Sequence, residues 1–152
     1  MKRADKYPDT LVFHWHNANP RGRLTEDCVV RAISTACEKP YEQVVTDLAQ
    51  VQIETGYAGT GQKGVDELLR RYGWEKHKQP RKEDNTKYTG QEFCEMIQNE
   101  RKRGALWAHG VWLDRNIICN IGGHHIVAVI DGKVWDTWDS TRKCIGNYWI
   151  KP

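Results

Sequence analysis

No stretch of this chain reaches the roughly 18 consecutive apolar residues of a membrane span. Met1-Lys2-Arg3 is followed by Ala-Asp-Lys-Tyr-Pro, without the apolar centre of a signal peptide. Both absences point to a chain that stays in the cytoplasm where it is made. The five cysteines (Cys28, Cys37, Cys94, Cys119, Cys144) are an odd set with no Cys-x-x-Cys pair, which argues against a disulfide framework and a structural zinc site. Cys119, His124 and His125 lie close together and His14-x-His16 can be added, but no finger spacing results, so no metal or other cofactor is expected. The 23 basic and 20 acidic residues leave a formal charge of +3, and the basic runs are scattered. Lacking a dense basic groove, the chain offers nucleic acid no electrostatic footprint. There is no internal repeat and no low-complexity tract.

What is present suits one domain over 1–152, with 39% hydrophobic residues including seven Trp and six Tyr for a core. Residues 10–16 alternate as a strand, and the Asn-Pro-Arg-Gly stretch after them reads as a loop. Val29, Val30, Ile33 and Cys37 recur at helical spacing behind Thr25 or Asp27 as cap, which puts Cys28 in the first turn of the first helix. Pro40 fits the first turn of a second helix that Gly56 ends, and the glycines from 56 to 64 make a loop with the composition of a lid. A short third helix covers Val65 to Tyr72, and Thr89-Gly-Gln-Glu92 is a capping box for a fourth, ending near the basic run Arg101-Lys102-Arg103.

From Ala105 the chain turns to short β-branched and aromatic runs, with a hairpin signal at Asp131-Gly132. Helices first and strands afterwards predict an α+β domain with an antiparallel sheet. Trp107, Trp135, Trp138 and Trp149 are expected in the core or along a groove.

The chemistry centres on Cys28. Taken alone it reads as a small buried hydrophobe. A thiolate is the reactive form, however, and a helix N-terminus and a neighbouring imidazolium both lower a thiol pKa. His125 heads the strand His-Ile-Val-Ala-Val-Ile and is the natural imidazole, whereas His124 must face the other way. A carboxylate across the hairpin can fix its tautomer: Asp136 follows it by 11 positions and Asp139 by 14, and the register across Asp131-Gly132 favours Asp136. A slip in register would bring Asp139 instead, which otherwise caps the Asp-Ser-Thr turn.

The order Cys at a helix start, His on a strand and Asp about a dozen residues later resembles the papain-like cysteine peptidase superfamily. The closer likeness is to small phage and prophage members built around Asn19-Pro-Arg-Gly-Arg-Leu-Thr-Glu-Asp-Cys28, His125-Ile-Val-Ala-Val-Ile-Asp-Gly132, Asp136-Thr-Trp-Asp139 and Gly146-Asn-Tyr-Trp149. The resemblance implies a papain-like fold and a thiol protease in the bacterial host cytoplasm, with Cys28 as nucleophile, His125 as base and Asp136 as orienting carboxylate. It also implies attack on an amide, isopeptide or thioester carbonyl of a protein or peptide substrate. Such enzymes commonly carry a Gln about six residues before the nucleophile, and here that position is Gly22. Asn19, or less readily Asn17, can supply the oxyanion donor with the Cys28 N–H. Two other functions fit the same residues: a binding module or inhibitor of a host protein on a peptidase-like scaffold, and deamidase or transglutaminase-type acyl transfer.

Overall fold

The computed structural model describes residues 2–152; Met1, the first residue of the basic opening Met1-Lys2-Arg3, lies outside the described residues. In chain order the elements are α1 (Arg3–Lys6), β1 (Phe13–Trp15), α2 (Cys28–Cys37), α3 (Tyr41–Thr55), α4 (Gln62–Arg71), β2 (Glu75–His77), α5 (Gly90–Lys102), β3 (Trp107–Ala108), β4 (Val111–Trp112), β5 (Ile117–Ile121), β6 (His125–Ile130), β7 (Lys133–Asp136) and β8 (Ile145–Ile150). The architecture is α+β. Because α1 precedes it, the helix headed by Cys28 is the second of the chain, not the first.

Local chemistry explains most element boundaries. Gly56 ends α3 in the left-handed region at φ 78°, and Pro40, expected inside the first turn, stands one residue earlier as its N-cap. Thr89 accepts from the Glu92 N–H at 3.1 Å while Glu92 accepts from the Thr89 N–H at 3.0 Å, the reciprocal capping box that opens α5. Asp131 (φ 51°) and Gly132 (φ 72°) both adopt the left-handed conformation that a two-residue hairpin turn requires, and they fold β7 back on β6. The register runs Ile130 opposite Lys133, Val129 opposite Val134 and Ala128 opposite Trp135.

Six strands form one sheet in the order β1-β7-β6-β5-β8-β2. It is mixed, not wholly antiparallel. The β1 strand joins β7 in parallel, Phe13 opposite Val134 and Trp15 opposite Asp136. The physical reason is the unpaired edge that the β6–β7 hairpin leaves on β7. The N-terminal segment satisfies it, with the Val134 N–H donating to the Val12 carbonyl and the His16 N–H to the Asp136 carbonyl, each at 2.9 Å.

Each face of the sheet carries its own core. On one side Ile33, Val44, Leu48 and Leu69 of α2 to α4 pack with Ile118, Ala128 and Trp149. On the other, Phe93 and Ile97 of α5 pack with Cys119, Val129 and Val134. The tryptophans divide: Trp149 is core as expected, but Trp107 is 56% exposed and Trp112 42%, on the small β3–β4 hairpin outside the main sheet. Two-residue strands bury too little to draw a large ring inward. Among the described residues no helix is long and apolar enough to cross a membrane.

The turn between α3 and α4 is held by close backbone contact. A Cβ on Gly64 would lie 2.3 Å from the Ala58 carbonyl oxygen and 2.5 Å from that of Gly59. Replacing glycine by alanine inside a helix normally gains about 1 kcal/mol. The overlap with unyielding backbone should reverse that sign, and Gly64→Ala is expected to destabilise by about 1–3 kcal/mol, read as a lower urea midpoint.

Candidate active site

Cys28 is the first residue of α2, so the peptide N–H groups of that first turn have no partner within the helix and their partial positive charge lies beside the thiol. Its cap is Asp27, but the carboxylate of Asp27 does not bond the helix N–H groups. It accepts instead from Arg31 Nε at 2.7 Å, from the Tyr41 hydroxyl at 2.6 Å and from Asn19 Nδ2 at 3.1 Å.

His125 opens β6 and Asp136 closes β7, so the hairpin brings them to the same end of the sheet. His125 Nε2 lies 2.5 Å from Asp136 Oδ2. That carboxylate also accepts from Arg31 Nη1 and, at 2.7 Å, from the Thr137 N–H. A carboxylate surrounded by donors can only accept, so Nε2 carries the proton and Nδ1 is left for the thiol. Cys28 lines the same cavity as His125, near enough for the imidazole and the backbone N–H of Ile126 to act on its thiol. Trp138 lies against the imidazole with centroids 4.8 Å apart. Asp136 is only 2% exposed.

The electrostatics follow from these contacts. Burial pushes the Cys28 thiol up, but the hydrogen bond and charge of His125, the Ile126 N–H and the Arg31 guanidinium together hold it below the ordinary thiol value. Burial pushes His125 down, and its bonds to Asp136 and Cys28 more than reverse this, raising it to about 9. Cys37, half-buried, and Cys94, buried, have no imidazole beside them and are pushed up to about 12 by burial, and Cys119 is raised as well. Of these four thiols Cys28 alone is shifted towards the thiolate.

The other sequence-derived candidates lie elsewhere. Asp139 accepts from the Thr141 N–H at 2.9 Å and the Thr141 hydroxyl at 2.6 Å, and so holds its own turn. The Asn19 amide is directed at Asp27 and, at 3.4 Å, at the Tyr41 hydroxyl, while Asn17 Nδ2 donates to the Arg23 carbonyl at 3.1 Å. Asn19, expected as oxyanion donor, therefore has both its N–H groups engaged as supports of Asp27. The open helix N–H of Cys28 is the donor that remains beside the thiol. His124 lines a separate cavity with Val29 and Val65.

Arg31 is the functional residue that the sequence reading missed. It is buried, and it joins the cap of the helix that Cys28 opens to the carboxylate that holds His125. Two signals in the sequence point to it: an Arg between Val30 and Ala32 interrupts an apolar run, and Asp27 stands one helical turn before it. No family model, curated protein or solved structure matches this chain.

Arg31→Met should leave two facing carboxylates without their cation, and a loss of about 3–5 kcal/mol is expected in urea unfolding at pH 7. The pH dependence has a definite sign. Although burial opposes it, the bonds from Tyr41, Arg31 and Asn19 hold Asp27 below its usual range. Its contribution is therefore full above the unfolded value of about 4 and is lost as pH falls through the lower folded value. The gap between wild type and Arg31→Met should accordingly narrow below pH 4.

Proposed function

We propose that this chain is a cysteine hydrolase, a peptidase or isopeptidase acting on a protein or peptide, with Cys28 as nucleophile, His125 as proton carrier and Asp136 as the group that orients His125. One observation carries the reading: a thiol at the first residue of a helix shares a cavity with an imidazole whose Nε2 lies 2.5 Å from a buried carboxylate. Thiols ordinarily titrate near 8.5, and this pairing favours thiolate and imidazolium together.

In the reaction the Cys28 thiolate attacks the carbonyl carbon, and the carbonyl oxygen takes the negative charge beside the Cys28 N–H. The intermediate collapses with transfer of the His125 proton to the leaving amine, giving a thioester. Water then attacks the thioester while His125 takes its proton, and the carboxylic acid leaves as the thiol is restored. Asp136 keeps Oδ2 turned to His125 throughout, since Arg31 and the Thr137 N–H occupy its other oxygen.

The engagement of the Asn19 amide favours a second reading, a binding module on a hydrolase-like scaffold, because the residues lining the Cys28 cavity include no asparagine or glutamine to serve as oxyanion donor instead.

Iodoacetamide labelling of Cys28, read by mass spectrometry from pH 4 to 9, separates the two. An ordinary thiol is only about 0.3% ionised at pH 6, so an activated Cys28 should label roughly 10- to 100-fold faster there than a free cysteine. His125→Ala should remove most of that advantage. If both proteins instead track an ordinary thiol, the hydrolase reading fails and the binding module replaces it. Turnover of a responsive substrate should also decline above about pH 9, where His125 loses the proton it must deliver, while labelling does not.

A further inference from the structure

The cavity that holds Cys28 and His125, about 360 Å³ in volume, has in its wall a cation that belongs neither to the proposed triad nor to its supports. Arg3, on α1, lines it together with Thr137 and Trp138. Its Nε donates to the Thr137 carbonyl at 2.9 Å, the same oxygen that takes the Trp15 Nε1–H at 3.2 Å. The base of the guanidinium is thus pinned to the residue that directly follows Asp136, within the wall that carries the catalytic imidazole.

A guanidinium has five N–H donors in a planar fork. Only Nε of Arg3 makes a hydrogen bond among the described residues, and no carboxylate among them pairs with it. Arg31, the other arginine at this cavity, differs in both respects, being buried and engaged by Asp27 and Asp136. Arg3 is exposed and lines the cavity, and its guanidinium lies 5.6 Å from the centre of the Tyr7 ring, a contact that uses none of its outer N–H donors in a hydrogen bond. Glu26 is the one acid in the lining, on the loop leading to Cys28, and it makes no ion pair with Arg3.

Resting on the cysteine-hydrolase reading, we infer that Arg3 is a specificity residue whose guanidinium fork binds a carboxylate of the substrate beside the scissile bond, so that acidic substrates are selected. A planar fork matches a carboxylate in two parallel hydrogen bonds, which a lysine cannot reproduce in geometry though it keeps the charge.

The test uses two alkylating probes that deliver the same carbon to the same sulfur. In both, the S–C bond forms as the C–I bond breaks and iodide leaves; iodoacetate presents a carboxylate where iodoacetamide presents an amide. Rates at Cys28 are measured with each at pH 6.5 and low ionic strength for wild type, Arg3→Gln and Arg3→Lys. The His125 charge attracts iodoacetate in all three proteins, so the change in the iodoacetate-to-iodoacetamide ratio isolates Arg3. That ratio should decrease roughly fivefold in Arg3→Gln, the upper end for a solvent-facing charge pair, and only part of it should return in Arg3→Lys, which keeps the charge without the fork. In the wild type it should also diminish towards the Arg3→Gln value at about 1 M salt, which screens exposed charges within about 3 Å. An unchanged ratio in Arg3→Gln, with Cys28 still fast towards iodoacetamide, overturns the assignment of Arg3 and leaves the hydrolase reading intact. Ordinary slow labelling of the wild type by both probes overturns the two together.

Discussion

The Arg31 guanidinium, buried between Asp27 and Asp136, is the contact on which the rest of this molecule depends. It ties α2, which carries Cys28, to the end of β7, which carries the carboxylate holding His125. Removing two carboxylates and a guanidinium from water is unfavourable in itself, and a set of apolar side chains of the same volume would often be at least as stable. What the ionic arrangement supplies is direction. An apolar contact tolerates small slides and rotations of the helix, whereas donors on one planar group meeting two fixed carboxylates admit a single placement of α2 against the sheet.

That placement also sets the charge at the site. Asp136 divides its oxygens, Oδ1 to Arg31 and the Thr137 N–H and Oδ2 to His125. Arg31 and the Thr137 N–H hold that carboxylate in place in a nearly dry position, and its bond to His125 favours the charged imidazole. Moving a proton from Cys28 to His125 leaves the net charge of the cluster unchanged and turns two neutral groups into a pair that its neighbours already favour. Asp27 is stabilised apart from this step by the Tyr41 hydroxyl and the Asn19 amide. The loop before the helix and the start of α3 thereby support the same arrangement from outside.

Features governed by neighbouring residues were legible in the sequence. The Thr89–Glu92 capping box, the Asp131-Gly132 turn and the apolar stripes of α2 and α3 each depend on residues a few positions apart, and the side-chain types alone specify them. The relation of His125 to Asp136 was readable for the same reason, because a two-residue turn fixes the register on both sides of it. Contacts between distant segments were not. The parallel pairing of β1 with β7 joins residues about 120 positions apart, and a three-residue edge strand carries no mark of which neighbour it will meet. The exposure of Trp107 depends on the β3–β4 hairpin standing apart from the main sheet, which composition cannot reveal. Arg31 was passed over because its meaning lies in two carboxylates, only one of which is nearby in sequence.

These two kinds of contact divide the work of building the site. His125 and Asp136 come together through the shortest hairpin connection, so little chain entropy is lost in pairing them. Cys28 arrives from a different part of the chain, and bringing it to the imidazole requires α2 to dock across β6. Two groups of contacts enforce that docking: apolar packing of Ile33 and Ala36 on the sheet fixes how deep the helix lies, and the Arg31 bonds fix its position along its axis and its rotation. Depth tolerates variation in core side chains, since a cavity can relax in part. Axial position and rotation decide whether the sulfur faces the imidazole, and these are held by the ionic contacts. The geometry of the thiol–imidazole pair and the docking of α2 are therefore one event, and a disturbance of the buried ion cluster reaches both.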